Sequence, residues 1–236
     1  MPHRQPEVFT FAPLGSPSSP VVRQGEHAGT GKHTALVELR GVIAADSPAS
    51  ADNVTSGLQA AFKDANTQGV VLRINSPGGS PVQAGYINDE IKRLRTQHPS
   101  IPLYVVVEDI CASGGYYVAA AADQIYVDKA SIVGSIGVVI DAFGFTGIME
   151  KLGVERRAIT AGENKRFLDP FAPLTAAHRE YAEKMLAEIH QQFITVVRNG
   201  RGKRLKETPD VFSGLIWTGE KSIEVRSMVP LSKALH

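Results

Sequence analysis

The chain has 236 residues, 43% of them apolar and 21% charged. These are the proportions of a globular protein and exclude a disordered, collagen-like or disulfide-stapled one. Twenty-five Lys plus Arg against 24 Asp plus Glu leave a formal net charge of +1, so no overall field favours nucleic acid or an anionic membrane. The single cysteine, Cys111, has no partner for an internal disulfide, and the fold must rest on its own core.

Residues 1–33 hold Pro2, Pro6, Pro13, Pro17 and Pro20 among Gly and Ser, with no apolar period. They read as a disordered leader ahead of one domain over residues 34–236. No apolar run marks a signal peptide. The longest charge-free central stretch, residues 110–122, is shorter than the roughly 20 residues that a spanning helix needs. The chain as given therefore reads as soluble.

From Thr34 strands and helices alternate. Residues 34–43 form a strand broken at Gly41, and residues 51–67 a helix with Val54, Leu58, Ala61 and Phe62 on one face. A short strand (69–75) runs into the turn SPGGS (76–80), and a second helix covers 81–97. The strand 101–109 is apolar on both faces, as in a buried parallel sheet. Residues 112–123 are small and helix-compatible after their glycines. Strands follow at 124–128 and 131–140, a helix at 145–153, a strand at 154–160, and a loop at 161–174. Thr175 then caps a helix reaching about Arg198, whose buried face would carry Tyr181, Met185, Ile189, Phe193 and Val196. This alternation predicts one α/β domain.

Two glycine turns stand directly after buried strands. In Asn75-Ser76-Pro77-Gly78-Gly79-Ser80, adjacent glycines let backbone N–H groups approach a ligand and favour developing negative charge. An ordinary strand-to-helix turn would have the same spacing. In Ala112-Ser113-Gly114-Gly115, a serine at a strand-to-helix turn has an exposed hydroxyl, the logic of a nucleophile turn, although G-x-S-x-G is absent. A tightly packed helix start is the ordinary alternative. The base is less marked. His3, His27 and His33 lie in the leader, His98 in a polar turn, His178 and His190 on the long helix, and His236 at the end. Lysine is the other option. Lys165 sits in a loop with Phe167 and Phe171, neighbours that can wall its amine off from water as a basic lysine requires. Ser135, in Gly134-Ser135-Ile136-Gly137, is placed to orient such an amine, or is simply a strand serine. Trp217 reads as a core anchor.

Together these segments, INSPGGS (74–80), ICASGGYYVAAAADQIYVD (110–128), GSIGVV (134–139), GENKRFLDPFAPLT (162–175) and RGKRLKETPDVFSGLIWTGEKSIE (201–224), resemble the signal peptide peptidase A (SppA) family of serine–lysine peptidases. The likeness runs from about Thr34 to Glu224. It implies an α/β, Clp protease/crotonase-like fold of repeated β-β-α units, with a mostly parallel sheet and packed helices. It makes Ser113 the nucleophile, Lys165 the general base, Ser135 the serine that positions the amine, and Gly79 and Gly114 the oxyanion donors. It requires no metal or cofactor. It also implies a ring-shaped homo-oligomer, in which serine and lysine can come from neighbouring subunits. Its substrates would be cleaved signal peptides or other peptides with small or apolar side chains. The location expected from the family is the outer face of the bacterial inner membrane. Two departures stand out. The leader stands where the family has an N-terminal anchor, so an anchor was lost, the start site is internal, or this member works in solution. VRSMVPLSKALH (225–236) stands where the family continues with a Gly-Leu-Val-Asp segment and a closing helix, which suggests a truncated or frame-altered end. Two other readings use the same residues: a crotonase-like acyl-CoA enzyme with SPGG as its oxyanion hole, and a non-catalytic assembly protein on the same fold.

Overall fold

The computed structural model describes residues 31–224 and, as backbone, the short strands Val22–Arg23 (β1) and Val229–Pro230 (β8). The expected leader otherwise lies outside the described residues, as does most of the segment 225–236. The chain forms two compact units, Met1–Gly137 with Phe193–His236, and Val138–Gln192.

The first unit is built on a sheet whose described strands run in the order β1-β2-β3-β4-β5-β8. β2 (His33–Arg40), β3 (Thr67–Ser76), β4 (Leu103–Ala112) and β5 (Gln124–Val127) are parallel, while β1 joins β2 antiparallel. Alternate residues of these strands, among them Val37, Leu39, Leu72, Ile74, Val105 and Val107, are buried. They share one core with Val54, Leu58 and Phe62 of α1 (Ala51–Lys63) and Ile87, Ile91 and Leu94 of α2 (Pro81–Gln97). The mixed α/β architecture and mostly parallel sheet are those expected from the sequence. Both helices start where a serine accepts the third N–H beyond it, Ser50 from Asn53 and Ser80 from Gln83. α1 ends four residues before the expected Thr67, because Asp64 is extended and its carboxylate accepts the Asn66 N–H at 2.8 Å. That turn starts β3 early.

β4 runs three residues past the expected strand and changes partner on the way. Tyr104, Val105 and Val106 pair with β5, whereas Ile110, Cys111 and Ala112 pair with β6 (Ile132–Gly134). Between them the register against β3 shifts: Ile74 faces Val107 and Ser76 faces Cys111, so β4 spends four residues where β3 spends two. The Asn75 amide holds this bulge, donating to Asp109 at 2.9 Å and accepting from the Ile110 N–H at 3.3 Å. β6 covers only part of the strand expected over 131–140. It pairs antiparallel with β7 (Ile216–Thr218), and Trp217, expected as a core anchor, is half-buried there beside Gly134. α6 (Gly219–Glu224) follows.

The second unit holds α4 (Thr146–Lys151), a series of turns over residues 161–171, and the first part of α5 (Ala176–Arg201). Thr175 caps α5 as expected, its Oγ1 accepting the His178 N–H at 3.1 Å. The strand expected over 154–160 is absent. Those residues are exposed and pair with no strand, and a β-branched run forms a strand only where a partner edge exists. Tyr181, expected on the buried face of α5, is exposed, and no residue of 138–192 is buried.

The end of α5 belongs to the first unit, where Phe193, Val197 and Arg201 are buried. It packs on the end of α3 (Gly114–Ala119), and arginines satisfy the carbonyls left there. Arg95 donates to Ala121 O at 2.6 Å, Arg201 to Ala122 O at 2.8 Å, and Arg204 to Asp123 O. Burial pulls the Arg201 guanidinium down to about 10. Gly200 allows this approach: a Cβ there would overlap the Ala120 carbonyl. Gly→Ala inside a helix normally stabilises by about 0.5–1 kcal/mol. Gly200→Ala is expected to do the opposite, lowering stability by about 1–3 kcal/mol in urea unfolding. A gain would show that the two helices are not in contact at this point.

Candidate active site

Four of the five residues marked by the sequence lie together in the first unit. Ser113 is the single residue between β4 and α3. Its backbone, φ 50° and ψ −122°, is one that residues with a Cβ seldom adopt and keep only where neighbours impose it. The neighbours are identifiable. The Ser113 N–H donates to Gly134 O at 2.9 Å, and its carbonyl accepts from Tyr117 N at 2.9 Å. The hydroxyl caps no helix N–H. The Ser113 side chain is partly exposed, as a nucleophile requires.

The Gly78-Gly79 turn packs directly on this bend. A Cβ on Gly78 would lie 2.8 Å from Ser113 Cβ and 2.6 Å from Gly114 N, and one on Gly114 would lie 3.2 Å from Gly79 N. The turn is fixed from its other side by residues 41–44. Ile43 N donates to Gly78 O and Ser80 N to Ile43 O, both at 2.8 Å. Gly78 N donates to Ser76 Oγ at 3.1 Å. The N–H groups of Gly79 and Gly114 take part in none of the turn, loop or cap hydrogen bonds among the described residues. Two unengaged donors beside a serine hydroxyl are the parts of an oxyanion site.

Ser135 stands in the next row. Ala112 pairs with Gly134, so Ser113 and Ser135 leave neighbouring strands at the same level. Ser135 also has positive φ, 53°, and its N–H donates to Leu215 O at 2.7 Å. Sequence reasoning gave no role to Asn75 or Cys111. Asn75 shapes the bulge that delivers the Ser113 turn. Cys111, two residues before Ser113, is fully buried, and burial pushes its thiol far up. It stays protonated and does not compete as a nucleophile.

Lys165 belongs to the second unit and is exposed there. The described residues of that unit do not wall off its amine as the sequence led one to expect. Its turn is tightly organised: Lys165 N donates to Gly162 O at 3.2 Å and Phe167 N to Asn164 O at 3.0 Å. Phe167 lies edge-on to Tyr181 at 5.3 Å, and Phe171 stacks on Phe145 at 5.4 Å. Asp169 pairs with Arg156 and Arg166, and the Arg156 guanidinium beside it, with the Phe171 N–H, holds its carboxyl down at about 2. Among the described residues no group of three or more His, Cys, Asp or Glu could hold a metal ion.

A serine on a strained strand-to-helix turn, with a glycine pair opposite, is an arrangement that suits acyl transfer. The sequence pattern of peptidase family S49 matches residues 95–228, and the chain belongs to that family. Its relatives include Protease 4 of Haemophilus influenzae, 27% identical over 203 residues, which are 84% of this chain and 32% of that protein. The chloroplastic serine protease SPPA of Arabidopsis thaliana is 32% identical over 151 residues, 64% of this chain and 22% of that protein. A protein of Brucella abortus named Na(+)/H(+) antiporter NhaA is 49% identical over 162 residues, 69% of this chain and 22% of that protein. The chain thus spans less than a third of the length of each of these relatives. Among the described residues no helix is long and apolar enough to cross a membrane.

The contact between the two loops gives the site its first test. A Cβ on Gly79 would overlap the Ile43 carbonyl, at a φ of 149°. Gly79→Ala is expected to cost about 3 kcal/mol in urea unfolding. Wild-type stability in that variant would show that residues 41–44 do not clamp the turn.

Proposed function

We propose that this member of peptidase family S49 is a serine endopeptidase with a Ser113–Lys165 dyad. The observation that carries the reading is the Ser113 turn, strained, with its hydroxyl uncommitted, and pressed against Gly78-Gly79. In this mechanism Ser113 Oγ attacks the scissile carbonyl and Lys165 Nζ takes the hydroxyl proton. The N–H groups of Gly79 and Gly114 hold the tetrahedral oxyanion. Lys165 returns the proton to the leaving amine, then activates the water that hydrolyses the serine ester. Ser135 orients the lysine amine by a hydrogen bond.

A lysine serves as a base only when its amine is shielded from water. Lys165 is exposed in the single chain, and residues 138–192 contain no buried residue. Val139, Phe143, Leu152 and Ile159 of that unit are largely exposed, Ile159 at 99%. Apolar surface on this scale calls for a partner. Both facts support a homo-oligomer, of the ring type implied by the SppA resemblance, in which a neighbouring copy covers the second unit and completes the site. The substrates we assign are cleaved signal peptides or other peptides with small or apolar side chains. Their place would be the outer face of a bacterial inner membrane.

Cleavage of a fluorogenic peptide with small apolar residues at the scissile bond tests the dyad. Ser113→Ala and Lys165→Ala are each expected to lose at least about 1,000-fold in kcat/KM while keeping the wild-type circular dichroism. Activity that survives either substitution would remove that residue from the mechanism. Light scattering tests the assembly. The active species is expected at several times the 25.3 kDa of one chain, and a monomer that cleaves the peptide at full rate would sink it.

A further inference from the structure

The second unit contains one group whose surroundings are out of keeping with the rest of it. Residues 138–192 bury nothing completely, yet the Asp169 side chain is only 9% exposed. Its carboxylate is engaged on every side. One oxygen accepts from Arg156 Nη1 and, at 3.0 Å, from the Phe171 N–H. The other accepts from Arg166 Nε at 3.1 Å. Arg156 also lies over the Phe171 ring, 5.2 Å from its centre. The group thus joins three stretches of chain: the segment 154–160, the residue directly after Lys165, and the backbone beyond Pro170.

Between Lys165 and Asp169 the chain makes a costly bend. Leu168 has φ 56°, a left-handed conformation that a leucine keeps only where its surroundings dictate it. Overlapping turns flank it, Asp169 N donating to Arg166 O at 3.1 Å and Ala172 N to Asp169 O at 3.2 Å. Turns of this kind are weak alone, because solvent competes for their hydrogen bonds. Charge-assisted bonds from two guanidiniums to one carboxylate are stronger and directional. They supply what a loop without a buried core lacks.

We propose that Asp169 is a positioning residue for Lys165: its clasp on Arg156, Arg166 and the Phe171 N–H holds the Leu168 bend and so fixes where the lysine is presented. This rests on the reading of Lys165 as the general base. The clasp acts through geometry, and Asp169 itself touches neither substrate nor reacting atoms. A base displaced by about 1 Å costs on the order of 100-fold in rate, whereas peptide binding is untouched.

The test compares wild type, Asp169→Asn, Arg156→Gln and the double variant as full chains. Reactive Ser113 is titrated to completion with a fluorophosphonate, so that kcat is expressed per competent site. Asp169→Asn is expected to lower kcat at least 10-fold with KM changed less than threefold, and the double variant to be no worse than the poorer single one. A purely structural role would reduce the titratable sites and leave kcat per site intact, which would overturn the proposal. So would a kcat within twofold of wild type. If Asp169→Asn does not fold, Arg156→Gln carries the same comparison. If the wild type neither cleaves peptide nor reacts with the probe, the dyad reading fails. Amide exchange over residues 162–171 then decides the clasp, with at least 10-fold faster exchange expected in Asp169→Asn and unchanged exchange overturning it.

Discussion

The left-handed backbone at Ser113 is the constraint around which the first unit is organised. A φ of 50° on a residue with a Cβ is disfavoured by about 1–3 kcal/mol and has to be imposed by what surrounds it. β4 brings the chain to this point along its β6 partner, and Gly134 O takes the Ser113 N–H. Gly78 and Gly79 close over the other side, where a side chain on Gly78 would collide with Ser113 itself. Asn75, one residue before Ser76, sets the bulge that turns β4 away from β5 and toward β6. The strained bend, the unengaged donors and the neighbouring Ser135 are three consequences of one change of strand partner.

The division of β4 also separates stability from chemistry. Its first half, residues 103–107, alternates buried and half-buried side chains in the middle of the sheet and belongs to the core. Its second half exposes Asp109, returns to the core at Cys111 and Ala112, and ends at the Ser113 turn. α3, which begins at the turn, is held at its far end by Arg95, Arg201 and Arg204. The buried cation Arg201, 2% exposed, is tolerated there because the carbonyls at a helix C-terminus carry partial negative charge. The helix behind Ser113 is therefore anchored from two directions, by Arg95 of α2 and by Arg201 and Arg204, which follow about eighty residues later in the chain.

The second unit follows a different physical regime. With nothing buried, it is held by turns, aromatic pairs and one carboxylate between two guanidiniums. Such a unit has little hydrophobic stabilisation of its own. In the proposed assembly another copy would cover its exposed apolar residues, Val139, Phe143, Leu152 and Ile159 among them. A lysine carried on it would acquire a dry environment only on assembly, so that catalytic competence and oligomerisation would be coupled.

Much of this was legible in the sequence. Helix α2 has the predicted bounds because Ser80 and Pro81 mark its start and apolar residues recur at helical spacing to Leu94. The two glycine turns stood out because Gly78-Gly79 and Ser113-Gly114-Gly115 each interrupt the chain directly after a buried strand. The strand expected over 154–160 and the buried face at Tyr181 failed for one reason: propensity and periodicity state what a segment could pair with or pack against, and the described residues supply no partner there. The peptide chain alone determined the α/β class, the core strands and helices, and the family. Only the tertiary structure decided that the Gly78-Gly79 turn packs on the Ser113 bend, that Asn75 steers β4, and that Asp169 clasps the lysine turn. The first two depend on contacts between residues some 35 apart in sequence, as from Asn75 to Asp109 and Ile110, which local pattern does not encode. The third depends on which of several nearby charges Asp169 pairs with, which sequence spacing leaves open.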